Sequence, residues 1–501
     1  MSTRAIHHAF RAVAASPTRL VFCLLLLILL PLVGYTVAGW VSLLVYPGEA
    51  NFGEGILVQE ARYLRQGINI YGDITQSPYW VATYPPLFQL LVAPLSYAGM
   101  WWPRTISLLA TLCQLFLLVR LLRHCTGSYW PGALACALWV ISPVNNAWCV
   151  LGRTDTLGRC LETAGVACAL LASTPRRALA GSVAFNVLAM MVKQNMIAGG
   201  TVSFVILMQR GRRLGFGFGA LWVACTTALY GVLHLITGGG FLKHLLGYTS
   251  RPLELPTMWN WIAVFCDTHT GYIYAAVPGL VLALGCRAHW WLVAALLAGV
   301  PNVILSGNAG ADRNYFIDLL WGLCLLVPYG VHVLATLPGT AGVARRVAWA
   351  TVLPICVVMA MQAYEIRTRF RMEYPDGEAR AQARRVIKNL RETSGPVLSE
   401  VVGDAMAAGK SQDVAAYGIK MVYDAGNWDP APVVRRVQNR EYGAVLLTIH
   451  FQGRYPEPIL RAIFENYDPV KEFPKNYLVE DQFSYYLFRP KADDAVTTAP
   501  K

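Results

Sequence analysis

Long apolar runs fill the first two thirds of this chain and constrain its fold more than any other feature. From about residue 18 to residue 363 they follow one another with short polar breaks, and the whole sequence is 55% hydrophobic and 14% charged. Soluble domains carry about 25% charged residues, so this composition is typical of a chain that crosses a membrane several times. After Tyr364, charged residues become frequent. We therefore predict a membrane domain over residues 1–363 and a soluble α/β domain over residues 364–501.

The basic residues give the membrane domain an orientation. The first apolar run, Leu20–Val45, follows three arginines and is too long for a signal-peptide core, so we expect an uncleaved anchor with a cytoplasmic N-terminus. The next segment, residues 46–102, then lies on the outer face, and we call it the outer loop. Within it, Pro85-Pro86 precedes an apolar stretch that ends near Ala98. This stretch is shorter than the roughly 20 residues of a span, which favours a helix in the outer interface.

The later apolar runs alternate so that each short basic turn faces the cytoplasm, as the positive-inside rule requires. They make about eleven spans when the first run is counted. The C-terminal domain is then periplasmic or extracellular, and the protein lies in the cytoplasmic membrane. The later segments are predicted at about 103–122, 129–145, 157–173, 178–192, 194–208, 215–237, 272–286, 290–306, 315–335 and 347–363.

Under this topology, two carboxylates and three cations from separate parts of the chain converge on the outer side. These are Glu54, Asp155, Arg153, Lys193 and Arg313. Asp155 also fits an N-cap, Glu54 a solvated loop carboxylate, and the two arginines headgroup anchors. Lys193 lies between two apolar segments, which indicates a functional site. Together the group suits a reaction on an anionic lipid-linked substrate, because cations stabilise a phosphate and a carboxylate accepts a proton from a hydroxyl.

Short motifs in a fixed order strengthen this hypothesis. They read Glu54-Gly55, Ala61-Arg62-Tyr63-Leu64-Arg65-Gln66-Gly67, Tyr71, Tyr84-Pro85-Pro86-Leu87, Gly152-Arg153-Thr154-Asp155-Thr156-Leu157 and Arg313-Asn314-Tyr315-Phe316. Their order resembles the GT-C superfamily of polyprenyl-phosphate-sugar-dependent glycosyltransferases, which includes protein mannosyltransferases and the lipid A aminoarabinose transferase. The resemblance covers about residues 20–363 and implies a GT-C-like membrane domain.

The resemblance implies a glycosyltransferase that moves a sugar from a polyprenyl-phosphate-linked donor to a glycan, lipid or protein acceptor on the outer face. It implies that Glu54 takes the place of the family's catalytic acid, usually Asp, while Asp155 stays open as the alternative general base. Lys193 and Arg313 would hold the lipid phosphate. The other expected substrate-binding residues are Arg153, Gln194, Asn314, Tyr315, Tyr71 and Tyr84.

Other partners and functions have less support in the sequence. No CxxC spacing indicates a metal site and no cofactor is assigned, although a divalent metal stays open. A basic stripe with interleaved aromatics is absent from the sequence, which disfavours nucleic acid. The main alternative is a polytopic transporter or flippase for lipids or oligosaccharides, in which the same charges line a translocation path. The hydropathy pattern has no internal repeat that would favour it.

Overall fold

A computed structural model describes residues 17–249, 252–336, 343–368, 374–448, 453–478 and 481–492. Two of the N-terminal arginines used above for the orientation, Arg4 and Arg11, lie outside these residues. Helices dominate the part that corresponds to the membrane domain. Their bounds are α1 Pro17–Leu44, α2 Glu54–Arg65, α3 Leu87–Val92, α4 Trp101–Thr126, α5 Trp130–Ile141, α6 Thr154–Leu171, α7 Pro175–Val192, α8 Ala198–Arg210, α9 Arg212–Ile236, α10 Leu255–Thr268, α11 Thr270–Gly285, α12 Trp290–Leu297, α13 Val300–Leu305, α14 Ile317–Thr336 and α15 Val343–Thr368.

Each predicted apolar segment except 290–306 coincides with one helix, and the bounds differ by a few residues. Among the described residues, five helices are long and apolar enough to cross a membrane, which makes this a multi-pass membrane protein. They are Thr18–Leu44, Trp101–Thr126, Arg212–Ile236, Arg287–Leu305 and Arg313–Thr336, where Arg287–Leu305 is counted as one although a short break divides it into α12 and α13. Three shorter apolar helices accompany them. The count of about eleven spans stays a prediction. Helix α10 was not predicted.

The segment predicted as one span over residues 290–306 is two helices, α12 and α13. The break falls at Gly299, where a Cβ atom would lie 2.6 Å from the backbone nitrogen of Leu319, so α14 packs directly against this point. Pro301 follows at the start of α13, where a residue without an N–H is tolerated. In a continuous helix Pro301 could not donate a hydrogen bond to the Leu297 carbonyl and its ring would clash with it, so Pro301 accounts for the end of α12 at Leu297, and Gly299 admits the close approach of α14.

The outer loop contains two helices joined by irregular chain. Helix α3 begins at Leu87, directly after Pro85-Pro86, and passes into a single turn over Ala93–Leu95. Phe88 and Val92 are buried, whereas Leu90, Leu91 and Leu95 are exposed. An apolar exposed side on a short helix fits the interfacial position expected for this segment.

The C-terminal part contains a four-stranded sheet with helices around it. Its helices are α16 Gly377–Arg391, α17 Val402–Ala407, α18 Ala416–Asp424, α19 Ala431–Gln438 and α20 Glu457–Asn466. Its strands are β1 Val397–Ser399, β2 Ala444–Thr448, β3 Tyr467–Leu478 and β4 Asp481–Pro490. The strand order is β1-β2-β4-β3, with β1 and β2 parallel and the other pairs antiparallel. The sequence predicts strands in this domain at 396–399, 444–449 and 484–488. Strands β1, β2 and β4 lie at these positions, β3 was not predicted, and residue 449 lies outside the described residues.

The sheet domain packs against the outer loop. Tyr79 forms an isolated parallel bridge with Val414, and the Trp428 indole donates a hydrogen bond of 2.9 Å to the carbonyl of Ile74. These contacts place the C-terminal residues over the segment that leads into α3.

Candidate active site beside the outer loop

Glu54, the first residue of α2, lies in a buried ion pair with Arg104 of α4. Its Oε2 atom is 2.7 Å from Arg104 Nη2, and both side chains are fully buried. Oε1 accepts from Arg104 Nε at 2.9 Å and from the backbone N–H of Gly152 at 2.7 Å. Oε2 also accepts from the backbone N–H of Ala50 at 2.9 Å. The carboxylate therefore accepts four hydrogen bonds, which is about its full capacity.

Arg104 holds the chain segment that precedes Glu54. Besides its two bonds to the carboxylate, its guanidinium donates to the carbonyls of Leu43, Tyr46 and Gly48 at 2.9, 2.6 and 2.8 Å. All five N–H groups of the guanidinium are thus used. The pair fixes the end of α1 and the start of α2 relative to α4. Burial favours the neutral acid, but the Arg104 charge together with the hydrogen bonds from Arg104, Gly152 and Ala50 outweighs it, so the pKa of Glu54 is lowered.

Glycines around Glu54 allow unusually close packing. A Cβ atom on Gly53 would lie 1.5 Å from Nη1 of Arg153, and one on Gly55 would lie 2.2 Å from the backbone nitrogen of Gly403. A side chain at either position would displace a neighbour. The Gly-Glu-Gly sequence therefore places the Arg153 guanidinium on one side of Glu54 and the C-terminal domain on the other.

Asp155, near the start of α6, forms the second buried acid–base pair with Lys193. Its Oδ1 atom accepts from Lys193 Nζ at 2.6 Å and from Asn314 Nδ2 at 2.8 Å. Oδ2 is buried and has no hydrogen-bond partner among the described residues. Because Lys193 comes from the loop between α7 and α8, and Asn314 from the turn before α14, three separate parts of the chain meet at this carboxylate.

Tyrosines and Arg153 surround this pair. Lys193 Nζ lies 5.6 Å from the ring centre of Tyr84 and 5.3 Å from that of Tyr315, within the range of cation–π attraction. The Tyr84 hydroxyl is 3.5 Å from Arg153 Nη2, and the Tyr71 hydroxyl donates to the Tyr84 carbonyl at 2.7 Å. The outer loop thus contributes aromatic groups directly to the surroundings of Lys193.

The remaining predicted residues connect to the same region. Arg153 Nη1 donates to Asn51 Oδ1 at 2.8 Å, and Gln194 Nε2 donates to the carbonyl of Thr83 at 3.1 Å. Arg313 immediately precedes Asn314 in the turn Arg313–Phe316, and its backbone N–H bonds to the Asp312 carboxylate. All the residues selected from the sequence therefore belong to one connected region, with Glu54 reaching it through Gly152.

Several buried charged groups in this region were not selected from the sequence. They are Arg104, Arg159, Glu162, Asp318, Glu60, Glu49 and Asp404. Arg159, Glu162 and Asp318 lie inside apolar segments, and an ionisable residue in such a segment indicates a functional or structural site. That signal was available for these three residues. Arg104 gave a weaker signal, because it lies at the very start of the predicted segment 103–122, where an arginine also fits a headgroup anchor.

Three buried acids have raised pKa values: Glu49 and Asp404 at the contact between the outer loop and the C-terminal domain, and Glu60 within the outer loop. Burial raises the pKa of Glu49 to about 8, although the backbone N–H groups of Gly403 and Gly55 oppose the shift. Burial likewise raises the pKa of Asp404 to about 7, and nearby Glu54 adds to it. For Glu60 burial raises the pKa to about 7, against hydrogen bonds from Gln89 and Trp80. These carboxyls retain protons close to neutral pH.

Within the described ranges no group of three or more His, Cys, Asp or Glu side chains is placed to hold a metal ion. A divalent metal therefore remains an open expectation with no assigned ligands.

Neither a protein-family model nor a curated protein sequence matches this chain. Solved structures do match it. ArnT from Cupriavidus metallidurans bound to undecaprenyl phosphate aligns with a TM-score of 0.56 and 14% identity, over 93% of this chain and 98% of that chain. ArnT in the apo state gives the same TM-score and identity over 91% and 97%. The archaeal oligosaccharyltransferase AglB from Archaeoglobus fulgidus aligns with a TM-score of 0.44 and 11% identity, over 89% and 73%. The likeness to ArnT confirms the GT-C-like fold predicted from the motifs.

Proposed function

We propose that this protein is a membrane glycosyltransferase that moves a sugar from a polyprenyl-phosphate-linked donor to a hydroxyl-bearing acceptor on the outer face of the membrane. The observation that carries the proposal is the buried meeting of Asp155, Lys193 and Asn314, drawn from three parts of the chain. Charged residues at such depth are costly and are retained mainly where they bind or react. The fold shared with ArnT, solved with undecaprenyl phosphate bound, supports a lipid phosphate as the ligand.

Lys193, with Arg153 and Arg313, is the proposed phosphate-binding group. A lysine ammonium has three donors, and the described contacts of Lys193 Nζ use one of them, to Asp155. The tyrosine rings of Tyr84 and Tyr315 flank the same nitrogen. A phosphate that binds there would gain charge-assisted hydrogen bonds, which are about twice as strong as neutral ones. During transfer the same cations would stabilise the negative charge on the departing polyprenyl phosphate.

Asp155 is the proposed general base. In the reaction the acceptor oxygen forms a bond to the anomeric carbon, and the bond from that carbon to the phosphate oxygen breaks. The acceptor proton passes to the carboxylate, and the polyprenyl phosphate leaves without needing a proton. Of the four carboxylate oxygens of Glu54 and Asp155, Asp155 Oδ2 alone accepts no hydrogen bond from the described residues. This unused capacity to accept a hydrogen bond favours Asp155 as the base. We propose Glu54 as a positioning residue.

The test measures release of undecaprenyl phosphate from a panel of undecaprenyl-phosphate-linked sugars, by mass spectrometry, with purified full-length protein in lipid vesicles. Release reports breakage of the bond between the anomeric carbon and the phosphate oxygen for any sugar, with the sugar passing to an acceptor in the vesicles or to water. We expect Asp155→Asn to slow release by about 10²–10⁴-fold, the usual contribution of a general base. Asn186→Ala is the matched control, because Asn186 is fully buried on α7 and its described hydrogen bonds go only to Ser182 and Ser203.

Full release by Asp155→Asn would refute the assignment of the base. Movement of the intact donor across the vesicle membrane, with no undecaprenyl phosphate released for any sugar in the panel, would instead favour the transporter.

A further inference from the structure

A second layer of buried charges lies next to the Asp155–Lys193 pair. Arg159 is one helical turn beyond Asp155 on α6, and Asp318 is one turn beyond Asn314 on α14. Arg159 Nη1 is 2.5 Å from Asp318 Oδ1, and the two side chains are 1% and 5% exposed. Helix α6 is therefore joined by buried polar contacts at two successive levels, first to the turn before α14 and then to α14 itself.

Two asparagines connect this second layer to the loop that carries Lys193. Asn302 of α13 donates to the other Asp318 oxygen, and its Oδ1 atom accepts from Asn195 Nδ2 at 2.9 Å. Asn302 Nδ2 is also 3.3 Å from the carbonyl of Asn195. Asn195 is two residues after Lys193, and Arg159 is one helical turn after Asp155. The side-chain contacts and these two chain segments therefore form a closed ring. We call the closed set the positioning ring: Asp155, Arg159, Asp318, Asn302, Asn195 and Lys193.

A further contact fixes the far end of the same loop. Glu162 lies 3.1 Å from Arg159, and its Oε1 atom accepts from the backbone N–H of Gly199 at 2.8 Å. A Cβ atom on Gly199 would lie 2.4 Å from the Cβ of Glu162, so the two segments are in direct contact. The Glu162 carboxylate, which belongs to α6, also lies beside the first turn of α8, where the helix dipole favours a negative charge. The loop 193–197 is thus held at its start by Lys193, in its middle by Asn195 and just beyond its end at Gly199.

Helix packing alone does not account for this set of buried polar side chains. Replacing a buried ion pair by apolar side chains is often neutral or stabilising, so stability alone gives weak reason to keep Arg159 and Asp318. The ring has a second effect, because it removes the freedom of the loop before any ligand binds. A group that is already fixed loses less entropy on binding, and affinity rises accordingly.

We infer that Arg159, Asp318 and Asn302 are positioning residues that hold the Lys193 amine where the lipid phosphate binds. The inference rests on the proposed function, since it takes the phosphate as the ligand of Lys193. The three side chains would act on Lys193 through the loop and not through direct contact with the substrate. Their loss should therefore weaken donor binding and raise KM, while kcat changes little.

Asn302→Ala is the sharpest variant, because it cuts the link between Asp318 and Asn195 and leaves the Arg159–Asp318 ion pair in place. We measure binding of undecaprenyl phosphate to the purified full-length protein, together with its thermal unfolding midpoint. Asn186→Ala is the control, since it also removes two hydrogen bonds donated by a buried asparagine. We expect Asn302→Ala to weaken binding by about 10-fold, within the range of a lost buried hydrogen bond. The unfolding midpoints of the two variants should be similar.

The outcomes separate the inference from the proposed function. Equal affinities for Asn302→Ala and Asn186→Ala would overturn the inference, as would a fall in kcat with KM unchanged. Failure of the wild-type protein to bind undecaprenyl phosphate would overturn it as well. If the wild-type protein binds undecaprenyl phosphate and Asn302→Ala weakens that binding, the inference holds even when no sugar is transferred, and the proposed transfer reaction alone fails.

Discussion

The Glu54→Gln variant tests whether the carboxylate of Glu54 has a structural or a catalytic role. In either orientation, the new amide group faces two N–H donors that Glu54 now satisfies. These donors are Arg104 Nη2 and the Ala50 amide on one side, or Arg104 Nε and the Gly152 amide on the other. The Arg104 charge would also stay buried without its partner. Breaking a buried ion pair in this way costs about 3–5 kcal/mol.

Arg104→Met should cost more than Glu54→Gln. It leaves the Glu54 charge unpaired and also removes the donors to the carbonyls of Leu43, Tyr46 and Gly48. Each buried acceptor left without a partner costs about 1–3 kcal/mol. The assay is thermal unfolding of purified protein in detergent, combined with release of undecaprenyl phosphate at a temperature where each variant remains folded. We expect Glu54→Gln to unfold several degrees below wild type yet retain measurable release. A wild-type unfolding midpoint with abolished release would refute this reasoning and make Glu54 the base.

Further predictions concern the phosphate ligand and the contact between the domains. Lys193→Ala should weaken undecaprenyl phosphate binding by about 10–100-fold, the range expected for a charge-assisted hydrogen bond, whereas Asn186→Ala should leave binding unchanged. The free energy of unfolding should fall as pH rises from about 5 to 8. Glu49 and Asp404, with raised pKa values of about 8 and 7, hold protons in the folded state that the unfolded chain has already released. Glu49→Gln should flatten that dependence, and thermal unfolding at several pH values measures it. Gly403→Ala should lower both stability and release, because its Cβ would lie 2.4 Å from Met100 and 2.8 Å from Glu49.

The sequence was sufficient for the features that depend on local pattern. Apolar length located most helices of the membrane part but missed α10 and the division between α12 and α13, and Pro85-Pro86 marked the start of α3. The position of Lys193 between two apolar segments predicted a special role, and Lys193 does lie in a buried ion pair with Asp155. Motif order then suggested the fold that ArnT shares.

The contacts that distinguish one acid from another could not be predicted in the same way. Glu54 and Arg104 are 50 residues apart, and their pairing follows from how α4 packs beside the end of α1. No spacing rule relates two such positions. Asp318 and Arg159 are 159 residues apart, although each stands out as a charge within an apolar helix. Sequence alone therefore indicates which charges are unusual, and the fold decides which of them pair.

The contact between Glu49 and helix α17 gives the C-terminal domain a direct connection to the candidate site. Glu49 accepts from the backbone N–H groups of Gly55 and Gly403, and its own N–H donates to Asp404. Gly55 is the residue after Glu54, so the loop that packs against Arg153 is held from the membrane side by Arg104 and from the other side by α17. A cap that only covered the membrane domain would not need buried carboxyls at this point, since burying a polar group costs free energy unless it is hydrogen-bonded. The position of these bonds is better explained if the C-terminal domain sets the geometry of the outer loop.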